Sequence, residues 1–269
     1  MKQIHATAVV EDGAQIQDGA VIGPNCFVGS GTAIGEGTVL EANVVIHKNV
    51  QIGKRNQFFS HCAIGGRPQV LSLRPDAKIG GLIIGDNNVI REQVTIHPSM
   101  HHDGFTKIGG SNLIMVGAHI GHDCILEDKI VISNFSQISG HCKIETGVWL
   151  SGVVLLHQFV TIGRWCYAAG LAGINRDIPP FLIVSGHYPP RIRGVNKRGL
   201  DRAGLNQQQQ QAVYDAYKRL YRDDKMPLLQ KAKEMAKETG LDENVRDMLN
   251  AIIRSSEHRF GRYLETFRD

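Results

Sequence analysis

The chain has 269 residues, 42% of them hydrophobic, 21% charged and 6% aromatic, with a formal net charge of +4. That composition supplies ample apolar material for a core, so a largely disordered chain is excluded. The basic residues are scattered without a Lys/Arg-rich block, so no nucleic-acid groove is expected.

At the N-terminus, MKQIHATAVVEDG lacks the apolar centre of a signal peptide, and nothing further on approaches the roughly 18 apolar residues of a membrane helix. No integral membrane segment is expected, and the cytoplasm is the default compartment. From Ile4 an apolar residue returns at every sixth position as Val10, Ile16, Ile22, Val28, Ile34, Leu40, Ile46, Ile52, Phe58 and Ile64. The phase resumes at Ile84, Ile90 and Ile96, then runs from Ile108 to Ile174. A period of six is neither helical nor a simple strand alternation. Four residues after most anchors stands a small or β-branched residue such as Ala20, Thr38, Val44, Ala118 or Val148. All five cysteines (Cys26, Cys62, Cys124, Cys142 and Cys166) share that slot. They are expected to pack as small hydrophobes, with no disulfide, metal or nucleophile role.

One bulky and one small inward residue per hexad predicts an all-β solenoid in which three hexads close a triangular coil, the parallel β-helix of hexapeptide-repeat proteins. Gly and Asn at the corners would supply the positive φ that tight turns require. In known proteins with this repeat the helix is left-handed, and the hand is taken from that resemblance. Two segments break the register, 65–83 and 98–107, and loops leaving a rigid scaffold are where function is sought. The repeat ends near Pro179, which divides the chain into a β-helix domain over 1–190 and an α-helical C-terminal domain over 191–269. In the latter, Asn206 reads as the N-cap of a helix with Val213, Tyr217, Leu220 and Tyr221 at helical spacing, and 227–239 and 242–264 read as two more.

Stacking brings several of the twelve histidines together. His97, Gly121, Ser139 and His157 each follow an anchor, and those anchors lie one coil apart once the second loop is excised. His122 adjoins Gly121 and His141 lies two residues past Ser139, so His97, His122, His141 and His157 are expected along one edge, with His119 close by. Three readings compete. Hexapeptide-fold carbonic anhydrases hold zinc with three histidines, but their ligand spacing is usually wider than that of His119 and His122. Solvated corner residues would account for isolated His5, His47, His61, His187 and His258, less well for a column. The third is general-base catalysis, with Asp123 beside the imidazole to fix its tautomer and stabilise the imidazolium.

The segments IREQVTIH (90–97), GAHIGHDC (117–124), HQF (157–159), DIPP (177–180) and GVN-x-x-GL-x-R (194–202) resemble those of the UDP-N-acetylglucosamine O-acyltransferases that begin lipid A synthesis. The resemblance runs from the first hexad to the helical tail. It implies attack of the sugar 3-hydroxyl on the thioester of a 3-hydroxyacyl chain carried by acyl carrier protein, in a homotrimer, with no cofactor and no metal. It implies His122 as general base, Asp123 as its partner and the Gly140 N–H as oxyanion donor. Gln69, His97, His119, His141, His157 and Gln158 would position the substrates, Asn196 and Arg202 would meet the uridine diphosphate, and Gly170 would set acyl length. Apart from the resemblance, Lys218, Arg219, Arg222, Lys225, Lys231 and Lys233 read either as a dock for the acidic carrier protein or, more commonly for such residues, as a solvated charged face. Val70, Arg198 and Ala203 depart from the family pattern, and these bear on the sugar nucleotide, UDP-N-acetylglucosamine or its 3-amino analogue. A zinc-dependent carbonic anhydrase-like protein is the alternative.

Overall fold

Each sixth-residue anchor ends a short strand, most of them two residues long. The computed structural model describes residues 1–223 and 226–268. Through the coils each strand pairs in parallel with the strand one coil later, so the chain visits three sheets in turn, and Arg191–Val195 closes the first sheet antiparallel to Leu182–Ser185. Gln3 faces Val21 and Ile4 faces Ile22, eighteen residues on. Among the described residues the first sheet, which starts at Gln3–Ile4, has 11 strands, the second, from Val9–Val10, has 9, and the third, from Gln15–Ile16, has 8. The fold is a left-handed parallel β-helix followed by helices.

The anchors fill the prism, with Ile34, Leu40, Phe58, Ile96, Ile120 and Ile138 wholly buried. The filler slot tolerates polar atoms because the next corner offers a carbonyl. Thr32 Oγ1 donates to His47 O (2.8 Å), Thr38 Oγ1 to Gly53 O (2.9 Å) and Cys142 Sγ to His157 O (3.2 Å). All five thiols are buried and free, and burial pushes Cys62 and Cys166 up to about 12, so both stay protonated and inert.

Four expectations need correction. The N-terminal coil is poorly covered: Ile4 is 42% exposed, having no coil beneath it. Corner residues with positive φ include Asn25, Asn43 and Asn49, but also Phe135 (59°), Val153 (59°) and Trp165 (58°). The backbone bonds that tie each corner to its neighbours, such as Phe135 N–H to Val116 O (2.9 Å), hold these residues where their own preference would not. The loops also end earlier than expected. Gly81–Ile84 and Phe105–Ile108 are four-residue strands that pair with each other, because both returning limbs lie on adjacent coils. The last helix stops at Ser255 rather than near 264, and Gly261 (φ 69°) turns the chain into a 3-10 segment, Tyr263–Phe267.

Past the final coil come α1 (Lys197–Arg202), α2 (Gln207–Tyr221), α3 (Leu228–Met235) and α4 (Glu243–Ser255). The glutamine run opens α2 behind a reciprocal capping box, Asn206 with Gln209. Arg164 fastens α4 to the β-helix through Asn244 (2.9 Å) and an ion pair with Asp247. Among the described residues no helix is long and apolar enough to cross a membrane.

Candidate active site

Both loops leave the second sheet and return on the third, after Ala63–Ile64 and after Thr95–Ile96, so both overhang the same corner of the prism. The ladder Ile96, Ile120, Ile138, Leu156 lies in register at that corner. It stacks His97, Gly121, Ser139 and His157 as their spacing predicts. One and two positions further along, His122, Gly140 and Gln158 form a second column, and Asp123, His141 and Phe159 a third. The members of the third column all hold positive φ, at 60°, 62° and 67°.

His122 is buried and its Nδ1 lies 2.8 Å from Asp123 Oδ2. A carboxylate can only accept, so Nδ1 carries the proton and Nε2 keeps its lone pair. Asp123 is itself fixed by the second loop, since Ser99 Oγ donates to Oδ1 and the Met100 N–H to Oδ2 (3.1 Å). Burial pushes the Asp123 carboxyl up, but the bonds from His122, Ser99 and Met100 and the nearby His141 outweigh it and hold it below the usual range. His141 stacks on Phe159 at 4.5 Å and meets His122 edge-on at 4.9 Å.

Beside this pair lies a cleft of about 180 Å³ lined by Gln69, His97, His119, Gly121, His122, Ser139, Gly140 and Gln158. His97 Nδ1 meets two carbonyls, Gly66 O (2.7 Å) and Arg67 O (2.9 Å), so it donates there. Its Nε2 is left as a buried acceptor without a partner. His119 Nδ1 bonds Thr95 Oγ1 (2.9 Å), and burial above all, with His97 and His122 close by, depresses its pKa to about 4. The Gly140 N–H has no acceptor among the described residues, while its carbonyl accepts from the Phe159 N–H (3.2 Å). A buried acceptor and an unengaged donor beside a base suit a hydroxyl and a developing oxyanion.

Other expected site residues stand elsewhere. His157 is exposed, its Nδ1 3.1 Å from Gln158 O, and it lies outside the cleft. Gly170 is exposed at the corner between the first and second sheets. Asn196 is buried at the start of α1 with Nδ2 donating to Trp165 O (2.7 Å), and Arg202 lies 4.8 Å over the Trp149 ring. The basic tail residues are partly engaged, Arg219 with Glu238 and Lys231 with the Leu220 carbonyl; Lys225 lies outside the described residues. Ser99 is the site residue that spacing did not reveal. It sits 24 residues from Asp123 in an interrupted coil, and the break in register after His97 was its only signal. Among the described residues, the one group of side chains close enough to share a metal ion is His101, Asp123 and His141.

A family model described as UDP-N-acetylglucosamine O-acyltransferase, domain 2, matches residues 177–261. The chain is 45% identical over 245 residues to a curated acyl-acyl-carrier-protein UDP-N-acetylglucosamine O-acyltransferase of Anaeromyxobacter sp. (strain Fw109-5), covering 90% of this chain and 93% of that one. With the Gloeothece citriformis protein of the same name it shares 41% over 172 residues, which is 64% of this chain and spans 61% of that relative's length. The solved UDP-N-acetylglucosamine acyltransferase of Francisella novicida superposes with a TM-score of 0.86 at 36% identity, over 93% of this chain and 91% of that one. With the sequence alike over most of its length and the fold superposing over 93% of it, the chain belongs to the UDP-N-acetylglucosamine O-acyltransferase family.

Proposed function

We propose that this chain transfers a 3-hydroxyacyl group from acyl carrier protein to the 3-position of UDP-N-acetylglucosamine, the first step of lipid A synthesis, with His122 as general base. The observation that carries the reading is the His122–Asp123 bond at 2.8 Å, which leaves Nε2 free to accept a proton at the edge of the cleft. As the sugar oxygen attacks the thioester carbon, Nε2 takes the hydroxyl proton and Asp123 stabilises the imidazolium. The carbonyl oxygen gathers charge facing the Gly140 N–H. Collapse breaks the C–S bond, and the imidazolium returns its proton to the departing thiolate. The buried His97 Nε2 suits a hydroxyl or amide N–H of the sugar.

A homotrimer belongs to this reading. The first sheet is the prism face opposite the corner that carries His122, and Arg202 lies on that face through Trp149. Gly170 sits at another corner. A second copy would bring such residues to the first copy's cleft. Membership of the family displaces the carbonic anhydrase alternative. Val70 and Arg198, where acids are usual in the family, favour testing a second acceptor, the 3-amino analogue.

The test offers a panel of 3-hydroxyacyl carrier proteins with UDP-N-acetylglucosamine or its 3-amino analogue to the wild type and to His122→Ala. Transfer is expected from the wild type, reduced about 10²–10⁴-fold in the variant. Undiminished transfer by His122→Ala would refute the base.

A further inference from the structure

His101, on the second loop, does not line the cleft beside His122, yet the fold holds its backbone in place. Its N–H donates to Ser99 Oγ (3.0 Å) and its carbonyl accepts from the Gly104 N–H (2.9 Å), while the residue is exposed. A ring nitrogen of His101, a carboxylate oxygen of Asp123 and a ring nitrogen of His141 all lie within 4.8 Å of one another. The His101 and His141 rings are 6.0 Å apart, edge to face. Two imidazoles and a carboxylate are a zinc donor set with room for a fourth, exchangeable ligand.

We propose that His101, Asp123 and His141 form a binding site for a divalent transition-metal ion of the zinc class, and that its occupation inhibits acyl transfer by engaging the carboxylate that supports His122. Zinc bonds of about 2.0–2.2 Å place tetrahedral ligand atoms about 3.4 Å apart. Closing the present group to that size needs a shift of order one ångström, which the exposed His101 side chain supplies. Asp123 and His141 are already anchored, by Ser99 and Met100 and by the Phe159 stack. The nitrogen donors select zinc over magnesium or calcium. A metal-bound Asp123 no longer stabilises the His122 imidazolium, and the added positive charge opposes its formation. The ligand set differs from that weighed on spacing alone. His119 and His122 each engage Nδ1 within the chain, with Thr95 and Asp123. The inhibitory half rests on the acyl-transfer reading, and the binding half does not.

Zinc chloride is titrated calorimetrically into chelator-stripped full-length protein, wild type against His101→Ala and His101→Gln, with initial acyl-transfer rates measured over the same zinc range. One zinc per chain is expected, weakened at least about tenfold in both variants. The half-inhibiting concentration should rise by the same factor, with zinc-free activity unchanged. Zinc binding and inhibition that are indifferent to His101, or His101-dependent binding without inhibition, would overturn the proposal. His101-dependent binding in protein that transfers no acyl group would uphold the metal site and strike the function reading alone.

Discussion

Gly140 lies so close to the His122 ring that a Cβ built on it would stand 2.7 Å from both Cε1 and Nε2. Residue 140 is therefore confined to hydrogen by the imidazole beside it, and its φ is not in the left-handed region, so conformational freedom is not the reason. Gly140→Ala should turn His122 away from Asp123 and obstruct the oxyanion position. A fall in kcat of about 10²-fold or more is expected, with an unchanged circular-dichroism spectrum and little loss of thermal stability. Full activity in that variant would mean that the ring is not needed where it stands.

Asp123 acts through the bonds that hold it. Asp123→Asn keeps the shape but removes the charge that stabilises the imidazolium, so kcat should fall about 10²-fold with KM little altered. Ser99→Ala removes one of the bonds that lower the Asp123 carboxyl. Its kcat should drop by about tenfold, in keeping with a lost hydrogen bond to a charged group. The acid limb of the kcat profile should move to higher pH, a displacement that a simple packing defect would not produce.

Gly170 is open: an added Cβ would meet only Gly152 O, at an ordinary 3.5 Å. Gly170→Met should fold normally and, if this corner receives the acyl chain, shorten the preferred 3-hydroxyacyl group. Product profiling with carrier proteins bearing chains of graded length reads this directly. An unchanged profile would remove Gly170 from the acyl path.

Two half-buried groups give opposite pH dependences of stability. Burial pushes the Asp177 carboxyl from 3.8 up to about 6, although it accepts from the Thr161 and Tyr263 N–H groups and faces Arg254 and Arg262. Its folded form holds the proton more tightly than the unfolded chain, so its contribution is full below about 4 and is lost as pH rises through about 6. His119, depressed from 6.5 to about 4, does the reverse. Its contribution is present above about 6.5 and is lost as pH falls toward about 4. Across pH 4 to 6, stability measured by urea unfolding should rise with pH in Asp177→Asn relative to wild type, by at most about 1.4 kcal/mol per unit. In His119→Gln it should fall relative to wild type. Parallel curves for all three proteins would contradict both shifts.

Much of the site was legible because equal coils convert spacing into position. Asp123, His141 and Phe159 are eighteen residues apart, and that number alone stacks them on one ridge. His157 shares the coil arithmetic of His97 yet stays outside the cleft, because register fixes a residue's height and corner and leaves the direction of its side chain to local contacts. Ser99 and His101 have no such signature because they lie in a loop, where no period relates sequence distance to spatial distance. Phe135, Val153 and Trp165 show the complementary limit. Their types argue against positive φ, and the hydrogen-bonded coils on either side impose it.

The sequence by itself determined the three-sided coil, its buried anchors and thiols, and the gathering of histidines at one corner, since a hexad period with inward apolar residues buries them by stacking equal coils. Only the tertiary structure decided that Ser99 and the Met100 N–H hold Asp123, that Gly140 underlies the His122 ring, and that His101 stands within 4.8 Å of the same carboxylate. Those contacts depend on how a loop free of the repeat folds back on it, and short-range hydrogen-bond geometry settles that where periodicity does not.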